Sequence, residues 1–279
     1  MKRAIGTTGK ILLGIAFSVI LIVIGSAILT ITGAIQEWNM QLVTATSMIV
    51  GALLVYVIFE RKNRWHIGLR QPKLAQSLIQ GMLAGILFIT VAFVGIWALG
   101  GIHIDRLQFD SNAWSLFGLQ FVVFSFVAVS EELLCRGYIQ GAIKNSFGLR
   151  PAIYVPSIIF AMMHLGNPGI LMNPMPLLNI FLVGVLFALT RELTLGLWFP
   201  IGFHLTWNLF QGNVFGFAVS GTDPGGFMTI VPQGNAILSG GAFGAEGSFI
   251  TTIIMIVGCV AALRLLNKRD ANFGSFISK

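Results

Sequence analysis

Long apolar runs separated by short polar stretches organise the chain. A hydrocarbon core about 30 Å thick needs roughly 20 residues in helical form. Eight stretches approach that length, at approximately 11–33, 40–59, 77–100, 113–143, 151–166, 176–190, 194–212 and 249–267. The pattern predicts an all-α polytopic membrane protein with about eight transmembrane helices, read as a single membrane domain over 1–279. The fourth stretch is overlong, so its C-terminal part is expected to leave the membrane. The first follows Lys2, Arg3 and Lys10 like the n-region of a signal peptide, but its apolar run exceeds the 7–15 residues of a cleaved signal. It reads as a retained helix. No internal repeat at a fixed period and no low-complexity segment interrupts the pattern.

Composition narrows the class further. Of 279 residues 56% are hydrophobic and 10% charged, with 33 Gly and 23 Phe, whereas a soluble domain carries roughly 25% charged residues. With a mean hydropathy of +0.86, the chain cannot cover its apolar residues with a polar skin, which excludes a soluble enzyme. The net charge of +7 comes from 17 Lys and Arg against 10 Asp and Glu.

Placing the N-terminus in the cytoplasm makes the tails and the segments 60–76, 144–150 and 191–193 cytoplasmic. Lys2, Arg3, Lys10, Arg61, Lys62, Arg64, Arg70, Lys73, Lys144, Arg150, Arg191, Arg264, Lys268, Arg269 and Lys279 then fall inside or at the inner edge. Only Arg106 falls outside, and Arg136 lies within the fourth stretch. This satisfies the positive-inside rule with both termini cytoplasmic. It also excludes nucleic acid as a partner, because the positive charge is spread over membrane-edge anchors and forms no basic stripe. The expected location is a prokaryotic plasma membrane, with the lipid bilayer as one partner and the oligomeric state left open. Cys135 and Cys259 both lie in apolar stretches and read as small packing residues. The last outer loop, about 213–248, is Gly-rich with Pro224 and Pro232 but lacks P-loop spacing, so it is expected to be a flexible or re-entrant connector.

Ionisable residues inside a membrane cost at least a few kcal/mol each, so each suggests function. The candidates are Glu131, Glu132, Arg136, His164 and His204, joined by Asn208. Arg136 lies four residues after Glu132 and can reach it along one helical face. Glu131 points about 100° away and is free to face something else. His204 and Asn208 are four residues apart on one face. Glu131 is 13 residues before Lys144, His164 is 14 after Arg150 and His204 is 13 after Arg191. Each therefore lies about 20 Å along its helix from an inner anchor, at a shared membrane level.

Taken singly, each residue also has a structural reading. Either histidine could be a helix-to-helix hydrogen-bonding residue, Glu132 with Arg136 a structural ion pair, and Phe160 a lipid-facing or packing residue. Two carboxylates, two imidazoles and an amide at one depth are hard to explain as helix glue alone.

Hydrolysis suits the set. Glu131 would take a proton from water, His164 would help hold that water, and His204 with Asn208 would stabilise an oxyanion. Glu132 and Arg136 would support the helix. Ser130 and Cys135 are weaker candidates as nucleophiles, for want of a base beside them. Zinc-assisted hydrolysis by the two histidines and a glutamate uses the same residues. A transporter or proton relay through Glu131, His164 and His204 is a third reading, and a non-catalytic adaptor a fourth.

At these positions the sequence resembles the CPBP family of intramembrane proteases, also called the CAAX protease and bacteriocin-processing or Abi family. The resemblance rests on Glu131-Glu132-Leu133-Leu134-Cys135-Arg136 for EExxxR, Phe160 to His164 for FxxxH and His204 to Asn208 for HxxxN, in order within 113–212. It implies an eight-helix, glutamate-dependent endopeptidase with a catalytic core over 113–212. Its cavity would lie in the membrane and open to the cytoplasm. It also implies Glu131 as the base, His164 assisting, and His204 with Asn208 at the oxyanion. Glu132, Arg136 and Phe160 support them. A metal-free mechanism with no cofactor is favoured, zinc being the alternative. The expected substrate is a membrane-associated peptide or protein, prenylated if the CAAX activity carries over.

Overall fold

The computed structural model describes residues 2–62 and 65–277, with side chains described over 6–62 and 65–271. Lys2, Arg3, Arg64 and Lys279, named above as inner anchors, lie outside the described side chains. In order the elements are α1 (Lys2–Ile31), α2 (Glu37–Val55) with a π-helical turn Tyr56–Glu60, α3 (Leu74–Ala98) and β1 (Ile102–Leu107). Next, α4 (Ser111–Glu132) runs through a π-helical stretch Leu133–Ile139 into α5 (Gln140–Phe147), followed by α6 (Leu149–Met163) and α7 (Met175–Thr194). The chain ends with α8 (Trp198–Leu209) and a π-helical turn Phe210–Val214, β2 (Met228–Pro232), the short α9 (Ala236–Ser239) and α10 (Phe249–Ile277).

The fold is an all-α membrane bundle. Among the described residues six helices are long and apolar enough to cross a membrane. They coincide with six of the eight expected stretches. The other two, 151–166 and 194–212, are the shorter α6 and α8. The overlong fourth stretch is one continuous helical path over 111–147. It starts where the Asp110 carboxylate accepts a hydrogen bond from the Ala113 amide at 2.9 Å, and ends at Gly148, whose φ of 86° suits only glycine well. α1 and α10 present Leu12, Val23, Val257 and Leu265 outward, the apolar surface that lipid requires.

α8 is the opposite case. Pro200 through Leu209 are all buried, because α3 lies directly against it. A Cβ on Gly81 would sit 2.1 Å from the Phe199 carbonyl oxygen, and one on Gly85 2.4 Å from that of Phe203. Gly202 meets the Leu78 carbonyl in the same way, at 2.4 Å. This is small-residue helix packing, with a G-x-x-x-G pair on α3, and the Thr206 hydroxyl donates to the Met82 carbonyl at 2.9 Å across the contact. The packing sets the position of α8 and hence of His204 and Asn208.

The bundle has two distinct ends. At one, Lys10 pairs with Glu60 at 2.9 Å, Arg191 and Lys144 hold Glu192, and Arg269 donates to the Glu192 carbonyl at 2.6 Å. The other end carries the turn at 32–36, the loop 164–174 and the segment 215–248. There β1 and β2 form an antiparallel ribbon pairing Ile102 with Pro232 and Leu107 with Met228, with an irregularity between Ile104 and Arg106. The connector expected to be flexible or re-entrant is a folded segment. Phe217, Val219, Phe227 and Phe243 bury themselves against the bundle. A Cβ on Gly244, which sits at φ 90°, would lie 1.9 Å from the Ala218 carbonyl oxygen, so the close approach requires glycine.

Overpacking a tight helix contact costs about 1–3 kcal/mol. Gly85→Leu is expected to lower the melting temperature in detergent. Gly118→Leu, where nothing lies within 4 Å of an added Cβ, should leave it unchanged. Equal melting of the two variants would show that the α3 to α8 contact does not set stability.

Candidate active site

Glu131, His164, His204, Asn208 and Phe160 line one cavity of about 380 Å³. The expected residues therefore converge from α4, α6 and α8. The two adjacent glutamates face different surroundings. Glu132 is fully buried and accepts a hydrogen bond from Arg136 Nη1 at 3.0 Å. The same oxygen, Oε1, lies 3.1 Å from His204 Nδ1. Glu131 is turned into the cavity, with Oε2 buried, unbonded among the described residues and 3.8 Å from His204 Nε2.

Local backbone geometry contributes to this division. The helix widens into its π-helical stretch directly after Glu132, and the one after α8 begins two residues beyond Asn208. Such widenings recur at functional sites because they break the α register where a side chain must be re-aimed. Arg136 still reaches Glu132.

The Arg136 guanidinium is fully enclosed, 4.1 Å from the centroid of the Phe160 ring and 5.2 Å from that of Phe187. Gly184 on α7 gives it room, since a Cβ there would lie 3.3 Å from Arg136 Nη2. Phe160 is 3% exposed. The lipid-facing alternative for Phe160 is thus replaced by an inward one, because an aromatic face offers a buried cation attraction that lipid would not.

The imidazoles are held by their inner nitrogens. His164 Nδ1 lies 2.8 Å from the Phe160 carbonyl oxygen, which can only accept, so Nδ1 carries hydrogen and Nε2 is left for the cavity. His204 Nδ1 faces the Glu132 carboxylate in the same sense. The Ser130 hydroxyl donates to the Val127 carbonyl at 2.9 Å, a local back-bond that occupies its proton. Cys135 is fully buried. Among the described residues, no group of three or more His, Cys, Asp or Glu is arranged to hold a metal ion.

Glu246, in the segment before α10, also lines the cavity and escaped the sequence reading. Its Oε2 accepts hydrogen bonds from both the amide and the hydroxyl of Ser220, each at 2.9 Å. Burial pushes its carboxyl above the usual carboxylate range, with the Ser220 bonds acting in the opposite sense. Its sequence signal was an acid between Ala245 and Gly247 in the Gly-rich loop that also carries Asp223. A search restricted to membrane spans passes over it.

The cavity lining includes Glu37, Gln41 and Thr44 at the start of α2, Asn167 after α6, and Thr222, all at the end away from the basic side chains. The rim and the basic end thus lie at opposite ends of the bundle. Toward the basic end the floor is closed by Glu132, Cys135, Arg136 and Gln140, none of which is exposed.

An apolar helical bundle thus gathers a carboxylate, two imidazoles and an amide around one cavity. Residues 113–210 match the family model described as type II CAAX prenyl endopeptidase Rce1-like. This segment is thus similar to the CAAX protease-like family, within a chain whose described residues include six helices long and apolar enough to cross a membrane. The curated proteins compared with the chain include no match.

Removing one partner of a buried ion pair costs about 3–5 kcal/mol. Glu132→Ala is expected to melt well below the parent in detergent, and the double variant Glu132→Gln with Arg136→Met should recover much of that loss. Parent-like melting of Glu132→Ala would show that the pair does not support the site.

Proposed function

We propose that the chain is a glutamate-dependent intramembrane endopeptidase in which Glu131 activates water. The observation that carries this reading is the Glu131 carboxylate on the cavity wall, its Oε2 buried and unbonded among the described residues, with both histidines on the same lining. A carboxylate so placed has an oxygen available to a water proton.

In the proposed sequence Glu131 takes a proton from a water held against His164 Nε2, and the water oxygen bonds to the scissile carbonyl carbon. The carbonyl oxygen becomes an oxyanion, which accepts hydrogen bonds from Asn208 and from His204 Nε2. His204 donates there as the doubly protonated ring, its Nδ1–H already directed at Glu132 Oε1. The carbon to nitrogen bond then breaks as the carbonyl reforms, and Glu131 passes its proton to the leaving amine. Glu132 and Arg136 orient His204 without touching substrate.

The closed floor favours peptidase over transporter, because a transport route would continue past Glu131. The cleft at the basic end, lined by Trp65, Arg70 and Lys144 among others, shares no lining residue with the cavity. The family description makes a CAAX-type peptide, with and without a prenyl group, the first substrate to offer.

Loss of a general base lowers rate about 10²- to 10⁴-fold. Purified Glu131→Gln should lose cleavage of a fluorogenic CAAX-type peptide to that extent while melting like the parent. Full activity in that variant would remove Glu131 from the chemistry. Cleavage should also survive exhaustive treatment with a strong chelator. Loss that is restored by Zn²⁺ alone would replace the metal-free mechanism with zinc-assisted hydrolysis by the same residues.

A further inference from the structure

The cleft at the basic end, of about 480 Å³, takes no part in the proposed chemistry. It lies where the loop 65–71 meets α5 and the turn between α7 and α8, and Arg70, Lys144, Arg191 and Glu192 supply its charges.

Its frame is fixed by hydrogen bonds that do not involve those charges. The Leu197 amide donates to the Gly68 carbonyl at 3.0 Å, the Trp198 indole to the Leu69 carbonyl at 2.8 Å, and the Trp198 amide to Gln71 Oε1 at 3.2 Å. The chain is thus tied to the start of α8 on both sides of Arg70. Arg70 itself is exposed, and among the described residues its side chain has no ion pair or hydrogen bond. Trp65 packs onto α5, where a Cβ on Gly141 would lie 2.3 Å from its ring.

The charges in the cleft do not cancel. Three cations share one acid, and that acid is already engaged. Glu192 Oε1 accepts from Gln140 Nε2 at 3.0 Å and from Arg191 Nη1 at 2.6 Å, while Oε2 accepts from Lys144. Arg191 is 9% exposed, yet only its Nη1 is used. Among the described residues Nε is enclosed without a partner and Nη2 has none either. Nε and Nη2 form the guanidinium edge that holds two oxygens of one anion in parallel, and a buried donor without an acceptor is costly.

We infer that this cleft binds a phosphate group, held by the free edge of Arg191 and by Arg70, with Lys144 adding charge. A carboxylate has only two oxygens and would be used up by Arg191 alone. A phosphate offers further oxygens to a second donor reaching in from the loop. Two sources share this chemistry: the headgroup of an anionic phospholipid, which basic pockets between membrane helices bind, and free inorganic phosphate. The inference does not depend on the peptidase reading, because the cleft and the cavity share no lining residue.

Isothermal titration calorimetry of the full chain in a neutral detergent tests it, with inorganic phosphate and a soluble short-chain phosphatidylglycerol as probes. One equivalent of at least one probe is expected to bind. Tighter binding of the phosphatidylglycerol identifies the headgroup as the source, and binding of inorganic phosphate at least as tight identifies the free ion. Loss of a charged hydrogen bond weakens binding about tenfold or more, so Arg70→Gln should raise Kd by at least that factor while melting like the parent. Arg191→Lys keeps a cation beside Glu192 but removes the two-oxygen edge, and should weaken binding similarly. Should Arg191→Lys fail to fold, Arg70→Gln decides alone. Arg150→Gln, at an exposed position on α6 outside the cleft lining, should bind like the parent. Binding of neither probe, or equal weakening in Arg150→Gln and Arg70→Gln, would overturn the inference.

Discussion

The ion pair between Glu132 and Arg136 is the constraint around which the rest of the site is arranged. Two charges withdrawn from water inside an apolar bundle depend on each other and on the groups packed around them, and here Glu132 Oε2 and Arg136 Nε and Nη2 have no hydrogen-bond partner among the described residues. The packed groups come from four segments. Glu132 and Arg136 lie in one continuous helix, Phe160 on α6 and Phe187 on α7 lie within about ring-contact range of the guanidinium, and His204 on α8 shares the Glu132 oxygen. Enclosing the pair therefore brings α4, α6, α7 and α8 into one arrangement. It also separates two chemically identical neighbours. Glu132 is committed to structure, which leaves Glu131 as the carboxylate that faces the cavity.

Around this centre the bundle uses two further devices. Gly81 and Gly85 let α3 approach α8 backbone to backbone, so a helix too short to span a bilayer comfortably is wrapped in protein. Enclosure also shields its polar residues from lipid. The segment 215–248 then folds over the mouth end and brings Ser220 and Glu246 to the cavity wall. The buried polar layer beneath Glu131 closes the basic end. One open end and one closed end make a blind cavity and give it a direction.

The linear chain revealed much of this. Spans were legible because lipid demands about twenty apolar residues at a time, and the intramembrane polar residues stood out against so apolar a background. Depth counting grouped Glu131, His164 and His204 because helical rise is nearly constant along each span. Glu246 was not legible in the same way. It lies between spans, and only the return of the loop onto the bundle gives it a depth. Phe160 was ambiguous because an aromatic residue in an apolar helix reads alike whether it faces lipid or a cation.

By itself the sequence determined the membrane class, the approximate spans, the basic end and the residues available for chemistry, all consequences of local composition and of the regular rise of a helix. Tertiary structure decided which glutamate is paired and which faces the cavity, that the last loop contributes to the wall, and at which end the chamber opens. Those properties depend on how helices rotate about their own axes and where loops return. Packing between distant segments sets both, and no local pattern in the chain encodes them.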